Sequence, residues 1–203
     1  MSKASSDVAF TAAVKAVQDE RGSRQAFAAR EARGGAFRTA IDDDLRQRLA
    51  ETFSFYFATA NAEGQPYIQH RGGPPGFLRP IGEATLAFAD FAGNRQYITT
   101  GNLSENPRAF IFMMDYVNRR RVKIWGSARV VRDDPALLDR LLTDGYQARA
   151  EQAIVFDVSA WDLNCPQHIP QMFPAGAVMQ ATESLRARIK ELEAEIARLR
   201  AGA

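Results

Sequence analysis

The feature that most constrains the fold is a series of short β-prone runs in the middle of the chain. Aromatic and β-branched residues are concentrated in these runs, and Gly, Pro, Asn and Asp are concentrated between them. The runs are residues 53–60, 65–71, 84–90, 108–116, 122–132 and 153–163. Tight turns favour antiparallel pairing, because a parallel pair needs a longer crossover. The pattern therefore predicts a mainly β fold with six antiparallel strands in a closed or nearly closed barrel.

Helical patterns flank this β region. Apolar spacing predicts a helix over residues 6–20, and the acidic cluster 42–44 is suited to the N-terminus of a helix over 43–51. The Gly- and Arg-rich stretch 21–38 is predicted to be a mobile connection. We therefore divide the chain into an N-terminal helical segment, a barrel domain and a C-terminal helix, over 1–50, 51–173 and 174–203. Inside the barrel domain, Asp134 and Pro135 predict the start of a helix over 135–150.

The C-terminal segment carries a heptad pattern. Its apolar residues are spaced four and three apart in a background of Glu, Arg, Lys and Ala. They are Leu185, Ile189, Leu192, Ile196 and Leu199. The pattern allows an amphipathic helix that packs on its own barrel, one that docks another protein, or one that self-associates. The narrow apolar stripe and its charged flanks favour self-association.

Composition excludes several classes of protein. The net charge of +2 gives no global electrostatic basis for nucleic-acid binding, and the dense basic cluster at Arg119–Arg121 with Lys123 is interpreted as a solvated hairpin rim. No apolar run is long enough to span a bilayer, and the first residues lack the apolar core of a secretory signal. The single cysteine, Cys165, excludes an internal disulfide framework. We therefore expect a cytoplasmic protein without membrane or nucleic-acid partners.

Single catalytic motifs are weak in this sequence. It contains neither a dinucleotide-binding glycine fingerprint nor a Walker loop. His70 and His168 are the only histidines, and Cys165 with His168 supplies two of the four ligands that a structural zinc requires. A nucleophilic role for Cys165 has less support than that of an inert thiol. We therefore predict no metal site.

Polar residues instead collect at the ends of several predicted strands. They are Gln69, His70, Arg71 and Asp90 at strand ends, Asn94, Arg95 and Gln96 in a strand-to-helix turn, and Arg121 at a strand start. Backbone N–H groups and the helix dipole favour an anion at such a turn, and an arginine binds phosphate through two parallel hydrogen bonds. This set of groups suits a ligand with carbonyl acceptors and a phosphate tail.

At these residues the chain resembles the pyridoxamine 5′-phosphate oxidase superfamily of FMN-binding split barrels. The resemblance runs from about Phe53 to Val131. It rests on four stretches in the family's order and spacing, FATANAEGQPYIQHR, LAFADFAGNRQY, ENPRAFIFMMDY and RRRVKIWGSARVV. It implies a six-stranded antiparallel split barrel that binds FMN at a homodimer interface, with both chains contributing to each flavin site.

The resemblance also implies roles for individual residues. Those expected to bind FMN are Gln69, His70, Arg71, Gly72, Asp90, Asn94, Arg95, Gln96 and Arg121. Arg95 matches the family's phosphate-binding arginine, and Gln96 stands where a phosphate-binding lysine is common. Arg121 stands where a glutamine of the partner subunit reaches the flavin. Asp90 is expected near the ring or the ribityl chain.

Departures from the family pattern indicate a divergent branch. Gln69 and Gln96 stand where arginine and lysine are usual, and the substrate-binding R-L-H-D segment is replaced by WDLNCPQHIPQMF and a further helix. Residues 164–169 are then expected to cap the site, with His168 facing the flavin ring or the substrate. His168 and His70 are the candidates for a catalytic side chain.

The implied activity is that of an FMN-dependent oxidoreductase acting on an unidentified small molecule, with NAD(P)H or another electron donor. The alternative is a flavin-binding or sensing protein without turnover of its own. A third interpretation, an anion- or nucleic-acid-binding barrel that uses Arg119–Arg121, is disfavoured by the low net charge.

Overall fold

The fold is described from a computed structural model, in which residues 4–163 and 166–202 are placed. These residues divide into two compact units. The first unit contains residues 4–115 and 120–163, and the second contains residues 116–119 and 166–202.

The described residues form a mainly β fold with flanking helices. The helices are α1 (Ala12–Glu20), α2 (Arg24–Ala32), α3 (Asp43–Glu51), α4 (Ile98–Glu105), α5 (Pro135–Leu141) and α6 (Ala175–Ala201). The strands are β1 (Ser54–Ala60), β2 (Pro66–Gly72), β3 (Arg79–Pro80), β4 (Thr85–Phe91), β5 (Arg108–Asp115), β6 (Arg120–Val131) and β7 (Ala150–Leu163).

All strands of the first unit join one antiparallel sheet in the order β2-β1-β5-β6-β7-β4-β3. The sequence predicts six strands, and the sheet has seven. The additional strand, β3, has only two residues, which pair with β4, and so short a strand shows no alternation in the sequence. Among the described strands, hydrogen bonding does not join β2 to β3, so the observed sheet is open and the predicted barrel closure is not shown.

One face of the sheet encloses the main apolar core. In β1, buried Phe55 and Phe57 alternate with half-buried residues, because successive side chains of a strand point to opposite faces. Their rings lie 5.1 and 5.6 Å from the ring of Phe88 on β4. A slip of one residue in register would turn these rings out of the core, so their burial fixes the strand pairing.

A glycine permits a close approach of the two longest strands, β6 and β7. The register between β6 and β7 shifts between Trp125 and Gly126, where Ser159 is the extra, unpaired residue of a bulge in β7. A Cβ atom on Gly126 would lie 2.1 Å from the backbone oxygen of Asp157. No other residue fits that contact, which explains a glycine within an otherwise β-prone run.

The N-terminal segment contains more helix than its sequence predicts. The predicted helix over 6–20 divides into a short 3-10 turn and α1, which is capped by Thr11. The expected mobile connection over 21–38 contains α2, so that expectation is wrong. Tertiary contacts explain the difference, because the ring of Phe27 on α2 packs edge-on against Phe10 at 5.2 Å. Sequence periodicity does not register such contacts.

Backbone pairing ties this segment to the sheet. Arg38 and Trp161 exchange two backbone hydrogen bonds, with N···O distances of 3.0 and 2.7 Å. The indole N–H of Trp161 donates to the carbonyl of Ala40 at 2.8 Å, and the guanidinium carbon of Arg38 lies 4.5 Å from the ring centre. The N-terminal helices are therefore part of the first unit rather than a loose appendage.

Two predicted helices begin where the sequence predicts, and only one of them, α5, ends earlier than predicted. α3 begins as predicted, with Asp42 accepting a hydrogen bond from the backbone N–H of Leu45 at 3.0 Å. α5 ends at Leu141, whereas the sequence predicts a helix to residue 150. Arg79 on β3 donates to the carbonyls of Arg140 and Leu142 at 2.8 and 2.9 Å, so a side chain distant in sequence caps the helix end.

The second unit consists of a turn and α6. The backbone N–H of Met172 donates to the carbonyl of Tyr116 at 3.3 Å, and the side-chain amide of Gln171 donates to the carbonyl of Val117 at 2.9 Å. α6 confirms the predicted C-terminal helix. None of the described helices combines the length and apolarity needed to cross a bilayer. The proposed domain boundaries at residues 50 and 173 remain predictions.

Candidate functional site

A polar recess opens in the first unit between β2, the end of β4 and the start of α4. It is open to solvent, and the space between its walls, open solvent included, is about 410 Å³. Six residues predicted to bind the ligand line it, namely Gln69, Arg71, Asp90, Asn94, Arg95 and Gln96. The fold thus brings together groups that are up to 27 positions apart in the sequence.

Strand alternation places two of these residues on the wall of the recess. In β2 every second residue is half-buried, and Gln69 and Arg71 belong to that set. The side-chain oxygen of Gln69 accepts a hydrogen bond from the hydroxyl of Thr99 on α4 at 3.1 Å. This contact holds the start of the helix against the strand.

Arg71 and Asp90, which both line the recess, form an ion pair. Both side chains are largely buried, with 12% and 13% of their surface exposed. The second carboxylate oxygen of Asp90 accepts a hydrogen bond from the amide of Gln152 at 2.8 Å, and that amide also donates to the hydroxyl of Thr100 at 3.0 Å. The network connects side chains of β2, β4, β7 and α4, so it fixes these four elements relative to one another around the recess.

One nitrogen of this network has no hydrogen-bond partner among the described residues. This nitrogen is the Nε atom of Arg71, which is buried. A buried N–H without an acceptor is costly, and its cost is removed by a ligand or a second chain that brings an oxygen. Arg71 is therefore a donor with unused capacity beside the recess.

The turn between β4 and α4 is strained. Arg95 and Tyr97 have φ angles of 60° and 54°, in the left-handed region that side chains with a Cβ rarely adopt. Each such residue costs about 1 to 3 kcal/mol, and strain of this kind is concentrated at binding sites. The carboxamide oxygen of Asn94 accepts from the backbone N–H of Gln96 at 3.2 Å and stabilises the turn.

The N-terminus of α4 is open toward the recess. Its N-cap residue is Tyr97, whose side chain makes no capping hydrogen bond to the described residues. Ile98, Thr99 and Thr100 form the first turn and line the recess. Free N–H groups and the positive end of the helix dipole attract an anion at this position.

The recess has two arginines and two carboxylates, but only one arginine is tightly paired. Arg95 is 63% exposed, and its Nε lies 3.9 Å from a carboxylate oxygen of Glu151, a distance too long for a hydrogen bond. Glu151 also accepts a long hydrogen bond of 3.4 Å from the hydroxyl of Tyr97. Arg95 is therefore available to an incoming anion, whereas Arg71 is held by Asp90.

Three predicted residues lie outside the recess. His70, Gly72 and Arg121 are absent from its lining. His70 points to the opposite face of β2, where its ring packs edge-on against Tyr56 at 5.7 Å. A Cβ on Gly72 would lie 3.3 Å from the His70 ring, and Arg121 pairs with Met114 across β5 and β6. Within one chain, the structure does not join these residues to the other six.

The remaining candidates belong to the second unit or to undescribed residues. His168 is exposed and has a φ angle of 61° in the segment before α6. Its predicted place over the flavin or the substrate stays a prediction. Cys165 lies outside the described residues, as does Asn164 of the expected cap.

Sequence reasoning missed several residues of the recess. They are Tyr67, Phe91, Tyr97, Ile98, Thr99, Thr100 and Glu151 on its lining, and Gln152 beneath it. Strand alternation from Gln69 could have indicated Tyr67, which lies two positions earlier on β2. Glu151 and Gln152 carry no local signal, because the pairing of β7 with β4 brings them to the site.

Comparison with known proteins agrees with this architecture. The family model described as pyridoxamine 5′-phosphate oxidase matches residues 41–194, well over half of the chain. No curated protein matches the chain.

Solved structures show the same fold at low sequence identity. HupZ of Group A Streptococcus is 14% identical, with a TM-score of 0.50 over 65% of this chain and 99% of its own. A variant of HupZ is 15% identical, with a TM-score of 0.50 over 61% and 99%. A protein from Nostoc punctiforme described as pyridoxamine 5′-phosphate oxidase-related and FMN-binding is 13% identical, with a TM-score of 0.41 over 58% and 77%. On the strength of the family match, this chain belongs to the pyridoxamine 5′-phosphate oxidase family.

Proposed function

We propose that the protein is a homodimeric, FMN-dependent oxidoreductase that acts on a small molecule, and that the recess holds the flavin. The observation that carries the proposal is the turn between β4 and α4. There a helix N-terminus without a side-chain cap and the weakly held Arg95 face one recess. Strain at two residues of the turn supports a binding role, because strained backbone is retained where it serves a ligand.

The residues present fit the phosphate end of FMN. Arg95 and the N–H groups at the start of α4 supply positive charge and donors for a dianion. Gln96 supplies a neutral amide where a lysine would add a second charge, so we expect weaker phosphate binding than in relatives with that lysine. Glu151 opposes the phosphate and is expected to turn away or to accept hydrogen bonds from Tyr97 alone.

The residues also fit a ligand with carbonyl and hydroxyl acceptors. Gln69 and the unpaired Nε of Arg71 line or adjoin the recess beyond the phosphate turn. Asp90 pairs with the Arg71 guanidinium and holds it in place, so Arg95 is the arginine left to neutralise the phosphate. The proposed task of the pair is to orient donors toward the polar edge of the flavin.

A dimer would bring the other predicted residues into use. The outer face of β2, β1, β5 and β6 carries apolar and aromatic side chains, namely Ile68, Tyr56, Phe110, Phe112 and Met114. Ile68 is 59% exposed. Residues His70 and Arg121 belong to this same face by register. We propose that a second copy covers it and that these two side chains reach the partner's flavin. Closure of the sheet into a split barrel is part of this proposal.

Bound flavin would supply hydride and electron transfer, so the core reaction needs no protein acid or base. The chain's own residues bind the phosphate, orient the ring through Gln69 and Arg71, and exclude water on the partner-covered face. His70 and His168 remain the candidates for proton transfer to a substrate.

The absorption spectrum of the purified protein tests the flavin site. We expect flavin bands, and release of FMN rather than FAD on denaturation. Arg95→Ala is expected to weaken FMN binding about tenfold to a hundredfold through loss of a charge-assisted contact, with little change in stability because the side chain is exposed. Arg129→Ala, at an exposed ion pair on β6, is the matched control. A colourless protein that takes up no added FMN would refute the proposal.

Reduction of the bound flavin separates an enzyme from a binding protein. Rapid mixing with NADH or NADPH under anaerobic conditions is expected to bleach the flavin on the timescale of turnover. Tight FMN binding without reduction by either donor would favour the flavin-binding or sensing alternative.

A further inference from the structure

α6 presents an unpartnered apolar seam. It is a continuous helix of 27 residues, about 40 Å long at 1.5 Å per residue. The seam consists of Leu185, Ile189, Leu192, Ile196 and Leu199, and each of these side chains is exposed, from 41% for Leu192 to 69% for Leu199. Five large apolar side chains on one stripe need a partner surface, because their exposure to water is unfavourable.

The residue types on the seam favour a particular number of helices. If Leu185, Leu192 and Leu199 are assigned to heptad position d, Ile189 and Ile196 fall at position a. Within parallel coiled coils, Ile at a with Leu at d favours two strands over three or four, because the two layers pack side chains in different directions. The partner that fits this seam is a second copy of the same helix.

The flanking charges match a second copy in register. Arg188 and Glu195 occupy position g, and Glu193 and Arg200 occupy position e. In a parallel dimer, position g of one helix meets the next position e of its mate. The resulting pairs are Arg188 with Glu193 and Glu195 with Arg200, each formed twice, and every pair is of opposite charge. Within one helix Arg188 bonds Glu191 at 2.9 Å, but its guanidinium has further donors.

The seam extends toward the start of α6 with smaller residues. Thr182 falls at position a and Val178 at position d. The hydroxyl of Thr182 donates to the carbonyl of Val178 at 2.9 Å, so its polar group is satisfied within the helix. Thr182 can therefore enter a helix interface without an unpaired hydroxyl.

We infer that α6 pairs with α6 of a second copy as a parallel, two-stranded coiled coil. An antiparallel pair would also match these charges, since Arg188 then meets Glu195. It would, however, place Ile opposite Leu in every layer and would separate the two points at which α6 joins the rest of each chain. The inference does not depend on flavin binding.

Cysteine cross-linking in the full chain tests both pairing and orientation. In a background with Cys165→Ser, Leu185→Cys places a thiol at a d position, where it faces its own copy only in a parallel, in-register pair. Ala187→Cys, at the outward position f, is the matched control. We expect Leu185→Cys to form a disulfide-linked dimer about a hundredfold faster, because pairing raises the effective thiol concentration.

Several results would overturn the inference. Equal rates for the two cysteines, or no covalent dimer, would indicate that α6 packs on its own chain or on a different protein. Rapid linkage only when Leu185→Cys and Ile196→Cys are mixed would indicate an antiparallel pair. A mass of three or more chains by sedimentation would exclude two strands. The flavin spectrum of the same samples is a separate measurement, so a colourless protein that cross-links refutes the proposed function and not the coil.

Charge reversal supplies a second test of orientation. Arg188→Glu and Glu193→Arg each create like-charge pairs in a parallel homodimer and are expected to weaken it. A mixture of the two variants restores opposite charges at this pair on both sides only when the helices are parallel. Failure of the mixture to associate better than either variant alone would overturn the parallel arrangement.

Discussion

The polar recess and a second cavity in the first unit differ in how their polar groups are satisfied. The second cavity, which we call the N-terminal cavity, lies between the N-terminal helices and strands β6 and β7. It holds about 690 Å³ of empty space. Its lining includes Phe10, Phe27 and Phe37, and the ring of Phe37 stacks on Trp125 at 5.0 Å. It is the larger and more aromatic of the two, so size alone would select it as the binding site.

The charged groups around the N-terminal cavity are paired with one another. Glu31 accepts hydrogen bonds from Ser6 at 2.7 Å and from Arg24. Desolvation acts to raise the pKa of Glu31, but these hydrogen bonds and the charge of Arg24 outweigh it and hold the pKa below the ordinary value of 4.5. Asp162 lies 3.6 Å from Lys123. This cavity therefore resembles an interface between the N-terminal segment and the sheet.

The recess, in contrast, contains polar groups without partners among the described residues. It has a buried Arg71 Nε without a partner among the described residues, a strained turn, and a helix start that no side chain of the described residues caps. The comparison shows that the two cavities differ in unsatisfied donors and backbone strain as well as in volume, and these features are the basis for proposing the recess as the flavin site. Three changes test that distinction.

The largest effect is expected at the buried ion pair of the recess. Asp90→Ala leaves the Arg71 guanidinium without its counter-charge at a largely buried position, which typically costs about 3 to 5 kcal/mol. Asp157→Ala removes a half-exposed carboxylate that pairs with Arg129 and accepts a hydrogen bond from Thr85 at 3.1 Å, and it is expected to cost about 1 to 2 kcal/mol. Urea unfolding of both variants measures the difference in the free energy of unfolding. Equal losses of stability would contradict the claim that the buried ion pair of the recess stabilises the fold more than an exposed pair does.

A smaller, pH-dependent effect is expected at the N-terminal cavity. Glu31→Gln is expected to cost about 1 to 2 kcal/mol at neutral pH, because it removes charge-assisted hydrogen bonds. The folded-state pKa of Glu31 is lowered, so its stabilisation is complete above the ordinary value of 4.5 and is lost as the pH falls through the folded-state pKa. Unfolding of wild type and Glu31→Gln between pH 7 and acid conditions measures this loss of stability.

The flavin content is expected to stay unchanged in Glu31→Gln. A loss of flavin without a loss of stability would mean that the N-terminal cavity, and not the recess alone, serves the cofactor.

The smallest effect is expected at Glu151. Glu151→Gln removes the carboxylate beside Arg95 and should strengthen FMN or phosphate binding about two- to fivefold, the size of an exposed ionic contact. Titration at low and high salt measures it, and the gain should shrink as salt screens the charge. Weaker binding would mean that Glu151 supports the turn through Tyr97 rather than opposing the anion.

Much of the fold follows from local patterns. Alternation, apolar runs and turn residues predict the six longer strands within a few residues, because β1, β2 and β5 alternate in burial while β4 and β7 are buried on both faces. The cap at Asp42 and the heptads of α6 likewise predict helices. The polar turn at Asn94–Gln96 between a strand and a helix is predicted as well, since a strand end, polar turn residues and a helix start follow one another directly in the chain.

The errors arise where distant segments decide the outcome. α2 depends on Phe27 meeting Phe10, and α5 ends where Arg79 reaches its last carbonyls. The two-residue strand β3 exists only because β4 pairs with it.

By itself, the sequence determined the antiparallel strands, the C-terminal helix and six of the residues that line the recess. Only the tertiary structure decided that Arg71 is held by Asp90, that His70 faces away from the recess, and that Glu151 and Gln152 adjoin it. The physical reason is that period and propensity act over a few neighbouring residues. The hydrogen-bond partner of a charged side chain depends on strand pairing between distant segments. Asp90 and Gln152, for example, are some 60 residues apart and meet because β4 pairs with β7.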